Sequence, residues 1–573
     1  MTLDECIESG EPFLRESDAS ERGLVVFVHG FLLQPRDHAP LLKKLAEDEA
    51  FLHDDILPFQ YESNKWSNRD PKEIAEELAT QIHTLWLQRQ PKRLFVLAHS
   101  MGGLLARAAL VHGLRKGHPW AKAVTRLCLL ESTNRGYRPH RLWHKIQLFF
   151  ARKLGVARLA RSVLVGSRFV VRVRLDWLDT FAPVNTTPPE SRAGFEPGSE
   201  KGPDSAGATP ESTGTNVPLT PPPTIQLLAH SKSRPVVFGD DSDDLLTCGR
   251  AEQRRIPHVN HYTIAMLPPE SEPDTQKYIR FDQIKAALFD PLTPTSVETK
   301  TYPAVKLVTF IVHGIRDYGK WLSTLETEIK AIDPEAKVWK KRYPYFSILN
   351  FLRRTDRLTK VNGLVEEYGD HRVVYPNATF VCCGHSNGTY LLGHAMLEFP
   401  GVRFKRVFLA GSVLPQEFDW RTIGIRNQVQ QVRNDMANAD VPVGFLCAAL
   451  SSSPFHRDLG IGGFRGFTKR FAGTDFHETE WVDGGHGAAI EPTRLPNVAS
   501  YLVKGTPVKA ENPVGEVKTW LAWVLKFAKL WGAVITLLVI GIGVFIIVNW
   551  PFPGNLLPFA AYLFVVILLL ARV

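Results

Sequence analysis

The stretch Leu94-Phe-Val-Leu-Ala-His-Ser100-Met-Gly-Gly103, running into Leu104-Leu-Ala-Arg-Ala-Ala-Leu110, decides the fold. An apolar run of strand character stops at a serine, and a strongly helical run starts directly after it. The residues two positions either side of the serine, Ala98 and Gly102, are small. A tight strand-to-helix turn needs that, because only small neighbours let the serine take a strained backbone with its hydroxyl exposed. The pattern recurs as Thr379-Phe-Val-Cys-Cys-Gly-His-Ser386-Asn-Gly388 followed by Leu391-Leu-Gly-His-Ala-Met-Leu397, now with Gly384 and Gly388 as the flanking pair.

Working outward, each serine has an upstream partner motif. Leu24-Val-Val-Phe-Val28 ends in His29-Gly30-Phe31, and Val308-Thr-Phe-Ile-Val312 ends in His313-Gly314-Ile315. The interval from His to Ser is 71 residues in the first half and 73 in the second. One architecture used twice is the economical explanation. Between the landmarks lie helix-like segments such as Pro71–Gln90, with Ile74, Leu78, Ile82 and Leu85 on one face. Strands alternating with helices predict an α/β fold with mostly parallel, doubly wound sheets.

With both elbows and both His-Gly loops in place, the two halves resemble the α/β-hydrolase superfamily, and His99-Ser100-Met101-Gly-Gly is similar to bacterial lipases and esterases. The resemblance implies that Ser100 and Ser386 are nucleophiles. It also implies an oxyanion hole built from the N–H groups of Met101 and Phe31 in one half and of Asn387 and Ile315 in the other. Two fixed donors are needed where charge develops on a tetrahedral oxygen. His29 and His313 then belong to the oxyanion loop and are not bases.

The superfamily order is serine, acid, histidine, the acid orienting a base that takes the serine proton. In the second half, His486 in Trp481-Val-Asp-Gly-Gly-His486 is the expected base. Asp440 is the expected acid by resemblance, with Asp435 as alternative. In the first half, Val259-Asn-His261-Tyr-Thr-Ile resembles the late histidine segment of esterases, so His261 is the expected base and His258 its competitor. No carboxylate follows the strand-like run Thr224–Ala229 closely; Asp241 is selected from the cluster Asp240, Asp241, Asp243 and Asp244.

The segment between Glu131 and Asp176 holds no acidic residue but 11 basic ones, interleaved with Trp143, Leu148, Phe149, Leu154, Leu159 and Val163. It occupies the place where such hydrolases insert a lid, and an apolar stripe flanked by arginine suits an anionic membrane surface. Residues 181–224 contain 10 Pro among Gly, Ser and Thr, too little apolar surface to order themselves. The expected organisation is a hydrolase domain over 1–290 (lid 132–180, disordered loop 181–224), a linker 291–303, and a second hydrolase domain 304–510. A membrane anchor follows at 516–573.

That anchor rests on Leu530 to Ala571, which lacks Asp, Glu, Lys and Arg. At about 1.5 Å per residue, ~19 residues span a hydrocarbon core. A transmembrane helical hairpin is expected, with helices near 531–549 and 556–572. Lys518, Lys526 and Lys529 before it and Arg572 after it predict cytoplasmic flanks, so the catalytic domains face the cytoplasm.

Composition narrows the rest. At 573 residues, 44% hydrophobic and 22% charged, the chain is neither disordered nor polytopic. Its net charge of +9 is concentrated in the lid, and no base-reading or stacking module accompanies it, so nucleic acid is not an expected partner. The six cysteines form no CxxC pair, so neither a zinc site nor a disulfide framework is expected. Met1-Thr-Leu-Asp-Glu-Cys6 has no basic region followed by an apolar run, so a secretory signal is not expected. The expectation is a membrane-anchored serine hydrolase of carboxylesterase or lipase type, acting on a lipid or small ester without cofactor or metal. The alternatives are a transacylase and a binding or scaffold protein whose hydrolase domains are non-catalytic.

Overall fold

The computed structural model describes residues 1–139, 156–182, 219–230, 245, 248–267, 275–293, 302, 304–314, 320–341, 351, 353–451, 456–471 and 476–505, with single positions beyond 518. The chain divides into two compact units, the first made of Met1–Pro183 and Glu200–Lys300, the second of Val184–Ser199 and Thr301–Val573.

In the first unit the strands are β1 (Gly23–Val28), β2 (Asp54–Phe59), β3 (Arg93–His99), β4 (Val124–Leu130), β5 (Thr224–His230) and β6 (Ala251–Pro257). They lie in the order β2-β1-β3-β4-β5-β6, and every pairing is parallel. The second unit has β7 (Leu307–Val312), β8 (Lys337–Lys341), β9 (Thr379–His385), β10 (Phe404–Ala410), β11 (Val429–Ala437) and β12 (Phe476–Val482). Read from the β8 edge, its order is β8-β7-β9-β10-β11-β12, again all parallel. Strand for strand this repeats the first sheet, so the tandem inferred from motif spacing is a repeat of topology.

The apolar strands are buried on both faces because helices cover both. Alternate side chains serve different cores, as a two-residue period requires. Val26, Val28, Val96 and Ala98 pack with Ile74, Leu78 and Ile82 of the helix Pro71–Arg89. Val25, Phe27, Phe95 and Leu97 pack on the opposite side with Leu41, Leu45, Ile284 and Leu288. Pro71 sits at the start of its helix, where Asp70 caps the Lys72 N–H, so the segment begins where the sequence pattern places it. Each fully buried apolar side chain contributes roughly 1.5–3 kcal/mol.

The basic segment departs from the expectation. In its described part, the helices Arg158–Ser162 and Arg168–Phe181 turn Leu159, Val163, Val173, Trp177 and Phe181 into the unit's own core. Several arginines are spent locally: Arg158 pairs with Asp70, Arg172 lies 3.8 Å from Asp176, and Arg174 is buried. Those side chains of the stripe belong to the core. Residues 140–155 of the lid, 183–218 of the expected loop, Asp241 and Ile315 lie outside the described residues. So does nearly all of the expected hairpin; among the described residues, no helix is long and apolar enough to cross a membrane.

Candidate active site

Parallel strands of one sheet deliver their C-terminal ends to one edge, and each serine stands at that edge of its own sheet. Ser100 joins β3 to the helix Met101–Arg115 with φ 54° and ψ −120°; Ser386 joins β9 to the helix Asn387–Glu398 with φ 55° and ψ −124°. A non-glycine residue held there costs of order 1–3 kcal/mol, which the fold must impose. It does so by pairing: Ser100 N–H donates to Leu130 O at 2.9 Å, and Ser386 N–H to Ala410 O at 3.0 Å. The glycine two residues on permits the turn. A Cβ at Gly102 would lie 2.4 Å from Val28 O, and one at Gly388 would lie 2.0 Å from Val312 O.

In the first unit, His261 follows β6, and its Nε2 is 2.9 Å from Ser100 Oγ. His258, the competitor, is exposed with φ 59° and makes no such contact. Among the described residues, the carboxylate that faces His261 Nδ1 is Glu131, whose Oε2 is 3.4 Å away. Glu131 is the first residue beyond β4. Its backbone is left-handed at φ 45°, its N–H donates to Leu227 O at 2.9 Å, and its Oε1 accepts from Ala229 N–H. It is thus fixed by β5 at both ends. Asp241, the expected acid, lies outside the described residues. The signal that points to Glu131 is a carboxylate immediately past a strand end, in the order serine, acid, histidine.

The expected oxyanion donors flank the serine. Met101 is the first residue of the helix, and Phe31 sits in the loop after β1, which Leu32 anchors through its N–H to Ser63 O at 3.0 Å. Among the described hydrogen bonds, neither the Phe31 nor the Met101 N–H has an acceptor. His29 is buried, stacks on Tyr61 at 4.1 Å, and takes the Tyr61 hydroxyl on its carbonyl at 2.9 Å. Burial pushes its pKa down to about 3, so it stays neutral and serves the loop's structure.

The second unit assembles its base and acid differently. Asp440, fully buried beyond β11, receives His486 Nδ1 at 2.9 and 3.0 Å and the Val443 N–H at 3.0 Å. Asp435, the alternative, lies within β11 and is paired with Arg433 at 2.7 and 3.0 Å. Asn438 was not foreseen: its Nδ2 donates to Asp483 at 3.0 Å and its Oδ1 accepts from Gly484 N–H at 3.0 Å, tying the acid loop to the base loop. Between the described residues Ser386 and His486 there is no hydrogen bond. His313 repeats the role of His29, with Nδ1 2.6 Å from Gly314 O, and Asn387 opens the elbow helix as Met101 does. Among the described residues, no group of three His, Cys, Asp or Glu side chains is placed to hold a metal ion.

A family model described as the alpha/beta hydrolase family matches residues 25–275. Among solved structures, the chain is similar to a monoacylglycerol lipase of Paleococcus ferrophilus, at 10% identity and TM-score 0.28, covering 48% of this chain and 96% of that one. It is similar to a Pyrobaculum calidifontis esterase at 14% identity and TM-score 0.32, covering 48% and 78%. A soluble variant of monoglyceride lipase from Saccharomyces cerevisiae aligns at 13% identity and TM-score 0.32, covering 48% and 89%. No curated protein matches the sequence.

Proposed function

We propose that this chain, which resembles the α/β-hydrolase superfamily, is a serine hydrolase of ester bonds whose working centre is Ser100, His261 and Glu131. The observation that carries the reading is the 2.9 Å contact between His261 Nε2 and Ser100 Oγ at a strained strand-to-helix turn. His261 Nε2 takes the hydroxyl proton as Ser100 Oγ attacks the ester carbonyl. The imidazolium formed faces the Glu131 carboxylate, and the oxyanion meets the Phe31 and Met101 N–H groups. Collapse expels the alcohol with the proton returned from His261. Water then repeats the sequence on the acyl-enzyme and frees the acid.

The second unit is proposed as a second centre of the same type, with Ser386, His486 and Asp440. The missing Ser386–His486 hydrogen bond favours another reading for that unit alone, a non-catalytic partner that keeps the fold. Membrane attachment through the C-terminal segment, with both units on the cytoplasmic side, is part of the proposal. It is supported by the uncharged stretch Leu530–Ala571 and the lysines before it.

The test is ester hydrolysis by the full chain against a panel of p-nitrophenyl acyl esters, with Ser100→Ala and Ser386→Ala as controls. Loss of turnover in Ser100→Ala supports the reading; turnover equal to the parent in both variants and in the double variant overturns it. Alkaline-carbonate extraction of cell membranes tests the anchor: full chain in the pellet supports it, full chain in the supernatant removes it.

A further inference from the structure

Each serine is preceded by a histidine, and in both units that histidine reaches the base. His99 Nε2 is 2.7 Å from the carbonyl oxygen of His261, and His385 Nε2 is 3.3 Å from the carbonyl oxygen of His486. The contact is repeated although the base loops share little sequence and the acids come from different strand ends. A carbonyl only accepts, so Nε2 must carry the proton in each. For His99 the surroundings enforce this. The ring is buried, and burial, reinforced by His38 and His261, holds its pKa well below the ordinary histidine value. Its Nδ1 is buried without a hydrogen-bond partner, as suits the bare nitrogen of a neutral imidazole.

The accepting carbonyl belongs to the residue that bears the base, so fixing it fixes the backbone from which the imidazole hangs. On the ring itself, Nδ1 faces Glu131 at 3.4 Å, whereas the His99 contact acts on the backbone that carries the ring. A second anchor acts four residues on, where His38 Nδ1 lies 2.9 Å from Ala265 O. The two units grade the effect. The 2.7 Å contact accompanies a formed serine–base hydrogen bond, and the 3.3 Å contact accompanies none.

We propose that His99, and by the same geometry His385, are positioning residues, each donating its Nε2–H to the backbone carbonyl of the base and so holding that imidazole in line with the serine. The proposal rests on the serine-hydrolase reading for its catalytic consequence, while the clamp itself is measurable without activity.

The experiment uses the full chain carrying Ser386→Ala, so that a label reports Ser100. His99→Leu and His99→Gln are compared with this parent, glutamine offering an amide N–H at similar reach. Two quantities are read: the rate of labelling by an alkyl fluorophosphonate, and hydrogen–deuterium exchange in the peptide spanning 258–266. His99→Leu is expected to slow the saturating labelling rate about 10–100-fold, the scale of a catalytic group displaced by ~1 Å, with half-saturation little changed. Exchange in that peptide rises in the same variant, and His99→Gln restores most of both.

Parental labelling and exchange in His99→Leu overturn the proposal. So does a folded His99→Gln that fails as badly as leucine, because ring shape and not hydrogen-bond donation would then be responsible. Exchange that rises in His99→Leu while the parent takes no label supports the clamp and defeats the serine-hydrolase reading. If His99→Leu does not fold, His385→Leu against His385→Gln, read by exchange around His486, decides the clamp in the same way.

Discussion

The two units build the same turn and complete it from opposite ends. In the first, serine and base are joined at 2.9 Å while base and acid stand 3.4 Å apart; in the second, base and acid are joined at 2.9 Å and serine and base make no hydrogen bond. The cause lies one residue past equivalent strand ends. Leu130 and Ala410 each accept the serine's N–H, and the next residues, Glu131 and Gly411, both have left-handed backbone, φ 45° and 52°. Where that position carries a carboxylate, that carboxylate faces the histidine. Where it is glycine, the vacated volume is taken by the base: a Cβ on Gly411 would lie 2.8 Å from His486 Nδ1, and the acid comes from beyond the next strand as Asp440. The fold fixes a strained residue at this strand end, and the side chain placed there decides where the acid must come from.

The strongest way to break this comparison is at the nucleophiles. Ser100→Ala is expected to lower ester turnover by roughly 10³-fold or more, while Ser386→Ala keeps at least about half of it; equal losses in steady-state assays would erase the asymmetry. The acid comes next. Glu131→Ala should lower kcat by roughly 10²–10⁴-fold, the range for a triad acid or general base, and Asp241→Asn should leave it unchanged. The reverse outcome would return the role to Asp241.

Gly411→Ala sharpens the steric half of the argument. It adds a Cβ against His486 and places it on a left-handed backbone, so thermal unfolding of the second unit should show a loss of about 1–3 kcal/mol. The last prediction concerns pH. Burial lowers His29 to about 3 and also lowers His38 and His99, so the folded first unit keeps them neutral where the unfolded chain protonates them near 6.5. This stabilisation is present above pH 6.5 and is lost as pH falls toward 3. Melting temperatures across that window should decline with acidity, and a flat profile would contradict neutral buried histidines.

Much of this was legible in the sequence because the decisive features are local. Strand, small residue, serine, small residue and helix are contiguous around Ser100 and Ser386, and the His-Gly loops repeat at matching intervals. His261 and His486 were legible as late histidines. What escaped is set by strand ends and packing. Asp440 is preferred to Asp435 by resemblance, and the physical ground for the choice is the extent of β11 to Ala437, which puts Asp435 inside the ladder and Asp440 beyond it. Glu131 looked like the last charge before a basic segment until its pairing with β5 turned it toward His261. The amphipathic pattern of the lid was real, but its described apolar side chains cover the unit's own core, a distinction that periodicity alone cannot make.

The central claim is that Ser100 is the activated nucleophile, and its most direct measurement is mass-spectrometric mapping of the residue modified when the full chain reacts with an alkyl fluorophosphonate. The account predicts a phosphonylated peptide containing Ser100, formed faster than any on Ser386 and lost in His261→Ala. Modification confined to Ser386, or no modification of either serine under conditions that label a control hydrolase, would contradict it.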